Sequence, residues 1–319
     1  MPDAINNSSA GALSDKSLKR FFGLPRRTTL RPRPFEYYAP STVNEALTLL
    51  SSKEEAKVLA GGQSLVTLMK LRLAAPKALI DINGITELAH IHEEGGVITV
   101  GALTRYDQLA ESSLIREKVP LLAEAASMVA DQQVRNRGTI GGSLAHADPS
   151  ADLPTACTAA DAKIVTMSLN GSRSIEMSDF FRDYFITALR EDEIVKEVRI
   201  PIPPQRSGSA YLKLTRGHND FAIVSVATQL TVDNNHLCEA VNVVFGGVAP
   251  TPLHAKETER LLKNRKPDEN LLNEAAQVAA NGLSPTSDIR ASADYKLEMA
   301  KVLTKRALKT SLDRAMGSV

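Results

Sequence analysis

The chain has 319 residues, 43% of them hydrophobic and 24% charged, with a net charge of +1. That length exceeds one small core, the near-neutral charge leaves no electrostatic footprint for nucleic acid, and no apolar run reaches the length of a membrane span. Trp is absent and the two cysteines, Cys157 and Cys238, have no C-x-x-C partner, which excludes an aromatic platform for single strands and a cysteine-ligated zinc or iron–sulfur cluster.

Residues 1–31 stand apart: polar and small at first, then basic and proline-punctuated in "LPRRTTLRPRP". No apolar stretch follows a positive charge as a secretory signal requires. A flexible extension that docks on a partner is expected here, in a cytoplasmic protein. From "FEYYAPSTVNEALTLLSS" onward the pattern is globular. Ser41 or Thr42 caps a helix whose Val43, Ala46, Leu47 and Leu50 share one face. "KVLAGG" reads as a strand and "SLVTLMKLRLA" as a helical turn or two. "ALIDIN" and "GVITVGALT" read as strands with a turn at Gly95-Gly96 between them, and "TRYDQLAES" and "PLLAEAASMVA" as helices. "AKIVTMSLNGSRSIEM" is a hairpin turning at Asn170-Gly171, and "EIVKEVRIPIPP" is a strand stopped by prolines. Beyond a boundary near Pro203 to Ser209, three strands ("AYLKLT", "AIVSVATQLTVD", "LCEAVNVVFGGVA") precede three helical segments, the order of a separate α+β unit.

Two stretches, "VLAGGQS" and "TIGGS", each set an apolar residue, Gly-Gly and Ser at the head of a helical pattern. Converging backbone N–H groups at a helix start form an anion-binding concavity, to which Ser64, Ser143 and Thr139 add hydroxyls. One such loop suits one phosphate, and two facing each other suit a pyrophosphate. The spacing is neither G-x-G-x-x-G nor G-x-x-x-x-G-K-[ST], so spacing alone favours a pair of tight turns over a phosphate cradle. His146 reads as a local hydrogen-bonding residue. Asp148 and Asp152 lack a third ligand at metal spacing and read as cap residues. No nucleophile–base constellation is supported by the sequence.

Taken together, "AGGQS" (60–64), "VRNRGTIGGSLAHADPSADLP" (134–154), "DFF" with "EIVKEVRIP" (179–201) and "YLKLTRGHNDFAIVSVA" (211–227) resemble the FAD-binding medium subunit of the xanthine dehydrogenase / aerobic carbon monoxide dehydrogenase family of molybdenum hydroxylases. The resemblance covers nearly the whole chain from Phe35. It implies an α+β fold: an FAD-binding domain of the p-cresol methylhydroxylase type with two sub-lobes over 32–206, then a smaller α+β C-terminal domain over 207–319. It implies that Ala60, Gly61, Gly62, Gln63, Ser64 and Leu65, with Thr139, Ile140, Gly141, Gly142 and Ser143, hold the FAD pyrophosphate. Ser143 stands where many members carry Asn. Asp152 matches an acidic residue near the ribityl and diphosphate portion, Ile194 and Val195 match apolar residues beside the flavin ring, and Lys213 matches a lysine near its pyrimidine edge. Phe185 falls near where some relatives place a tyrosine over the isoalloxazine.

The implied role is electron transfer from iron–sulfur clusters through FAD to an external acceptor, with no catalytic residue and no metal on this chain. The implied partners are a molybdopterin-binding large subunit and a 2Fe–2S small subunit in a dimer of heterotrimers. A stand-alone flavin reductase of the UDP-sugar type and a non-redox assembly subunit are the alternatives. The substrate of the complex (carbon monoxide, an aldehyde, a purine or an N-heterocycle) and the electron acceptor are not readable from this chain.

Overall fold

The computed structural model describes residues 30–217 and 219–317, so the expected extension 1–31 lies outside the described residues except for its last two. Three layers of structure follow one another along the chain.

The first lobe is a parallel three-stranded sheet of β1 (Glu36–Tyr38), β2 (Ala56–Leu59) and β3 (Ala78–Asp81), with β3 in the centre. Parallel strands need crossovers, and helices α1 (Val43–Ser52) and α2 (Leu65–Lys70) lie in them. Thr42 caps α1, its hydroxyl accepting from the Glu45 N–H at 3.2 Å, and the helix buries Val43, Ala46 and Leu47. The second lobe contains the helices α3 (Tyr106–Glu111), α4 (Ser113–Lys118), α5 (Pro120–Ser127), α6 (Gln132–Arg135), α7 (Ile140–His146), α8 (Asp152–Ala159) and α9 (Met177–Phe180). Its antiparallel sheet is built from β4 (Ile91–Glu94), β5 (Val97–Gly101), β6 (Lys163–Ser168), β7 (Gly171–Glu176) and β10 (Ile194–Pro201), in the spatial order β4-β5-β10-β6-β7. A short ribbon, β8 (Phe181–Asp183) and β9 (Ile186–Thr187), sits apart. The last layer is the antiparallel sheet β11 (Ser207–Leu214), β12 (Val224–Val232), β13 (Cys238–Gly246) and β14 (Leu253–His254), followed by α10 (Lys256–Leu262), α11 (Glu269–Val278) and α12 (Ala293–Ala315).

The expected α+β class holds, and the C-terminal sheet shows how its layers join. Side chains alternate between the faces of a strand. Ala210, Val224, Val226, Val243 and Phe245 pack with the C-terminal helices, whereas Tyr211, Ala227 and Val244 join the core of the second lobe. Both faces are therefore buried, and the core runs across the expected boundary at Arg206. In the register of this sheet Lys213 lies opposite Ser225 and Ser225 opposite Gly246, so these three share the face turned toward the second lobe.

One local expectation is corrected, and one helix forms where the sequence was not assigned an element. The Gly95-Gly96 turn joins β5 not to 78–83 but to β4, and β3 belongs to the other sheet. β4 reads "IHEE", an edge strand whose exposed acidic residues carry little β-signal. Helix α8 forms over "DLPTACTA" despite Pro154, because a proline in the first helical turn removes no hydrogen bond.

Candidate functional site

The two glycine stretches lie side by side. Ala60 to Ser64 link β2 to α2, and Thr139 caps α7, its hydroxyl accepting from the Gly142 N–H at 3.1 Å. A Cβ built on Gly142 would stand 3.8 Å from that of Ala60. A Cβ on Gly61 would fall 2.2 Å from the Arg137 carbonyl oxygen, and one on Gly141 would fall 2.5 Å from the Ala102 Cβ. The first glycine of each pair is thus required by close backbone packing within the protein, not by approach to a ligand. Gly62 has φ +62°, the left-handed region that favours glycine. The second pair also differs from a loop: Gly141 and Gly142 form the first turn of α7 itself.

Two residues outside both stretches tie them together. Asn83, just after β3, donates from Nδ2 to the Ala60 carbonyl at 2.6 Å. The Arg105 guanidinium donates from Nη2 to Asn83 Oδ1 at 2.7 Å and from Nη1 to the Arg137 carbonyl at 2.5 Å. Asp81 anchors this cluster. Burial raises its carboxyl, but hydrogen bonds from Tyr37 and from Asn83, with the nearby Arg137 charge, bring the net value below the ordinary range. Neither Asn83 nor Arg105 was legible as a site residue, since nothing in their neighbourhood marks them and only the fold brings them together.

A second cluster lies at the seam of second lobe and C-terminal sheet. Asp152, in the first turn of α8, and Lys213, on β11, are each 5% exposed and paired at 3.0 Å. The Tyr211 phenol donates to Asp152 Oδ1 at 2.6 Å, and Lys213 also donates to the Met128 carbonyl at 3.1 Å. Burial raises the Asp152 carboxyl, and the Lys213 charge and the Tyr211 hydrogen bond oppose that rise. Burial also pushes the Tyr106 phenol up to about 12, against a hydrogen bond from Ser143 and with help from the Asp152 charge, which places Ser143, Tyr106 and Asp152 in one neighbourhood. The side chains of Thr155, one turn along α8, and Ser225 have buried hydroxyls without a partner among the described residues, and a Cβ on Gly246 would collide with both.

The remaining expected residues are placed as follows. Ile194 is buried in the cluster against which Ala60 packs, and Val195 in the larger core. Phe185 is 56% exposed with φ +57°. Its N–H donates to the Ala147 carbonyl at the end of α7, and its ring lies 5.2 Å from that of His146. Asp148 is a turn residue, Oδ1 accepting from the Ser150 N–H at 2.9 Å. Among the described residues no three His, Cys, Asp or Glu side chains gather as a metal site, and no helix is long and apolar enough to cross a membrane.

These residues fit the FAD expected from the resemblance. The backbone N–H groups of Gly61 to Leu65 donate to no acceptor among the described residues, Ser64 makes no cap bond with its exposed side chain, and the Arg137 charge is close enough to act on Asp81 at the end of the adjoining β3. Such a donor set matches a pyrophosphate, while the seam offers buried polar groups with spare capacity.

Comparison with known proteins agrees. Residues 33–203 match the family model for the FAD-binding domain in molybdopterin dehydrogenase, and residues 209–311 match the CO dehydrogenase flavoprotein C-terminal domain. The chain is 40% identical over 284 residues to the carbon monoxide dehydrogenase medium chain of Hydrogenophaga pseudoflava, covering 89% of this chain and 99% of that one. It is 37% identical over 287 residues to the 6-hydroxypseudooxynicotine dehydrogenase complex subunit alpha of Paenarthrobacter nicotinovorans, covering 90% and 97%. Its fold superposes with a TM-score of 0.86 and 41% identity, over 89% of this chain and 99% of the other, on a chain of the H. pseudoflava carbon monoxide dehydrogenase that lacks the Mo-pyranopterin moiety. The chain belongs to the FAD-binding medium subunits of the molybdenum hydroxylase family.

Proposed function

We propose that this chain is the electron-transferring flavoprotein subunit of a heteromeric molybdenum hydroxylase, taking electrons from iron–sulfur clusters and delivering them to an external acceptor. When bound, FAD supplies the redox chemistry, accepting electrons from one carrier and passing them to another. The chain's own residues bind and orient it. Gly61 to Leu65 and Thr139 to Ser143 hold the pyrophosphate, with Arg137 contributing charge. Asp152 and Lys213 stand at the ribityl and pyrimidine side, Ile194 and Val195 back the ring, and Phe185 covers it. The observation that carries this reading is the first glycine stretch, whose N–H groups from Gly61 to Leu65 have no acceptor among the described residues, lying against the glycine-led start of α7 near a seam of buried charge.

The partners in this reading are a molybdopterin-binding large subunit and a 2Fe–2S small subunit, arranged as a dimer of heterotrimers. Support comes from relatives whose names place them in multi-subunit dehydrogenases. The same reading divides the chain into an extension (1–31), an FAD-binding domain (32–206) and a C-terminal domain (207–319). It places the protein in the cytoplasm, with Cys157 and Cys238 as free, buried thiols that burial pushes up to about 12 and about 11. Family membership does not favour the stand-alone reductase or the non-redox subunit.

The test is activity by reconstitution. The full chain alone, loaded with FAD, is expected to be reduced by dithionite but not by carbon monoxide, aldehydes or purines, and to gain substrate-dependent dye reduction only with both partner subunits. Substrate-dependent dye reduction by the single chain, free of molybdenum by elemental analysis, overturns the proposal.

A further inference from the structure

Asp152 was expected to face the cofactor, yet both its oxygens are taken within the protein: Oδ1 by the Tyr211 phenol at 2.6 Å and Oδ2 by the Lys213 ammonium at 3.0 Å. An ammonium carries three donors and Lys213 uses two, one on Asp152 and one on the Met128 carbonyl. The third N–H has no acceptor among the described residues. Tyr211 is fully buried, and two residues apart on one strand it and Lys213 project to the same face. That face meets α8, so the three side chains form a buried Tyr–Asp–Lys chain in which Asp152 comes from one domain and the other two from the next.

We infer that Tyr211 is a positioning residue: by donating to Asp152 it keeps that carboxylate ionised and bound to Lys213, and so fixes the charge and the direction of the Lys213 ammonium at the flavin. The chemistry follows from burial. A carboxylate out of water is held in its charged form only by hydrogen-bond donors and a nearby cation, and a phenol that stays protonated is a donor that does not titrate away. The Tyr211 phenol meets that condition, because burial and the neighbouring Asp152 charge push it well above its ordinary value. The groups facing Asp152 are Tyr211 and Lys213, with the Tyr106 phenol nearby. While the pair is intact its net charge is zero. Remove the Tyr211 hydroxyl, and Asp152 takes up a proton at a higher pH, which leaves the Lys213 charge uncompensated. A positive charge beside a flavin favours the more negative reduced form and raises the midpoint potential.

The inference rests on the reading of Asp152 and Lys213 as flavin-side residues, and the experiment separates the two. Midpoint potentials and FAD dissociation are measured on the FAD-loaded full chain as wild type, Tyr211→Phe, Asp152→Asn and Lys213→Met, across a window of about pH 5 to 8 where a destabilised carboxylate titrates. Lys213→Met is expected to lower the potential or weaken FAD retention. Asp152→Asn is expected to raise the potential at every pH. Tyr211→Phe is expected to follow wild type at the alkaline end and to climb toward the Asp152→Asn value as pH falls. If Tyr211→Phe tracks wild type throughout while Lys213→Met shifts the potential, the role of Tyr211 is overturned and the site reading stands. If Lys213→Met changes neither potential nor retention, the site reading fails and the inference with it. Should Tyr211→Phe not load FAD, the Asp152→Asn potential decides: a raised value supports the coupled chain and an unchanged one overturns it.

Discussion

Gly61 and Gly62 are adjacent in sequence and face different constraints. At Gly61 the obstacle is the Arg137 carbonyl, which a Cβ would meet at 2.2 Å, so both backbones must part. Gly61→Val is expected to lose FAD because the two glycine segments proposed to hold the pyrophosphate separate, and Gly141→Val likewise through Ala102. At Gly62 the obstacle is conformation: φ is +62°, and a non-glycine residue there costs about 1–2 kcal/mol. Gly62→Ala is therefore expected to lower stability by that amount in a denaturant titration and to keep more FAD than Gly61→Val. Full flavin occupancy in Gly61→Val, read by absorbance, would contradict the packing account. Arg105 makes the complementary case. Its guanidinium bonds, being charge-assisted, are worth about 1.5–3 kcal/mol each, so Arg105→Met is expected to weaken FAD binding at least about tenfold. Arg105→Lys keeps the charge without the two-pronged geometry and is expected to recover only part of the loss; an unchanged dissociation constant in Arg105→Met would remove Arg105 from the site.

Among the elements, α12 is tied at its start by Lys296, whose buried ammonium donates to Asp288 at 2.8 Å and to the Thr286 carbonyl at 2.9 Å. The Lys296 hydrogen bond first, aided by two backbone N–H groups, holds the Asp288 carboxyl at about 2 against an ordinary 3.8. A depressed carboxyl stabilises the fold fully above its unfolded value and loses that contribution as pH falls toward the folded one. Acid unfolding of wild type and Asp288→Asn is thus expected to differ above pH 3.8 and to converge toward about pH 2; a constant difference down to that pH would contradict the assignment. How much of the elements was legible depended on how local their signal is. The hairpin forms as expected between β6 and β7, but its two-residue turn is Leu169-Asn170, with Gly171 already paired to Ser168 at the head of β7, one residue earlier than the Asn-Gly pair suggests. The three C-terminal helices form over the periodic segments that announced them. β1 and β4 gave no such signal, because three or four residues with exposed polar side chains acquire strand geometry only from the neighbour they pair with. The glycine stretches were legible as a pair. That their first glycines serve packing was not, because the atoms they make room for, at Arg137 and Ala102, are distant in sequence.

Across the whole molecule, the C-terminal sheet completes the second lobe. Tyr211, Ala227 and Val244 belong to the core that α5, α8 and β10 also line, and Glu124 on α5 accepts both the Tyr211 N–H at 3.0 Å and the Arg314 guanidinium of α12 at 2.5 Å. A chain cut after Arg206 would expose that apolar surface and lose two of the three members of the Tyr–Asp–Lys chain. Residues 1–206 alone are accordingly expected to aggregate and to hold no flavin by gel filtration with absorbance; a monomeric, flavin-loaded fragment would show the domains to be independent. The site as a whole is built from three layers that meet only in the folded protein, and that is why its ends, the glycine stretches and Lys213, were visible as motifs while Asn83, Arg105 and Tyr211 were not. The central claim, that these layers together hold one FAD, is tested most directly by the flavin content of the purified full-length chain, with the released nucleotide identified. One FAD per chain is the predicted result, and a chain that binds no FAD, or that carries a different nucleotide in its place, would contradict it.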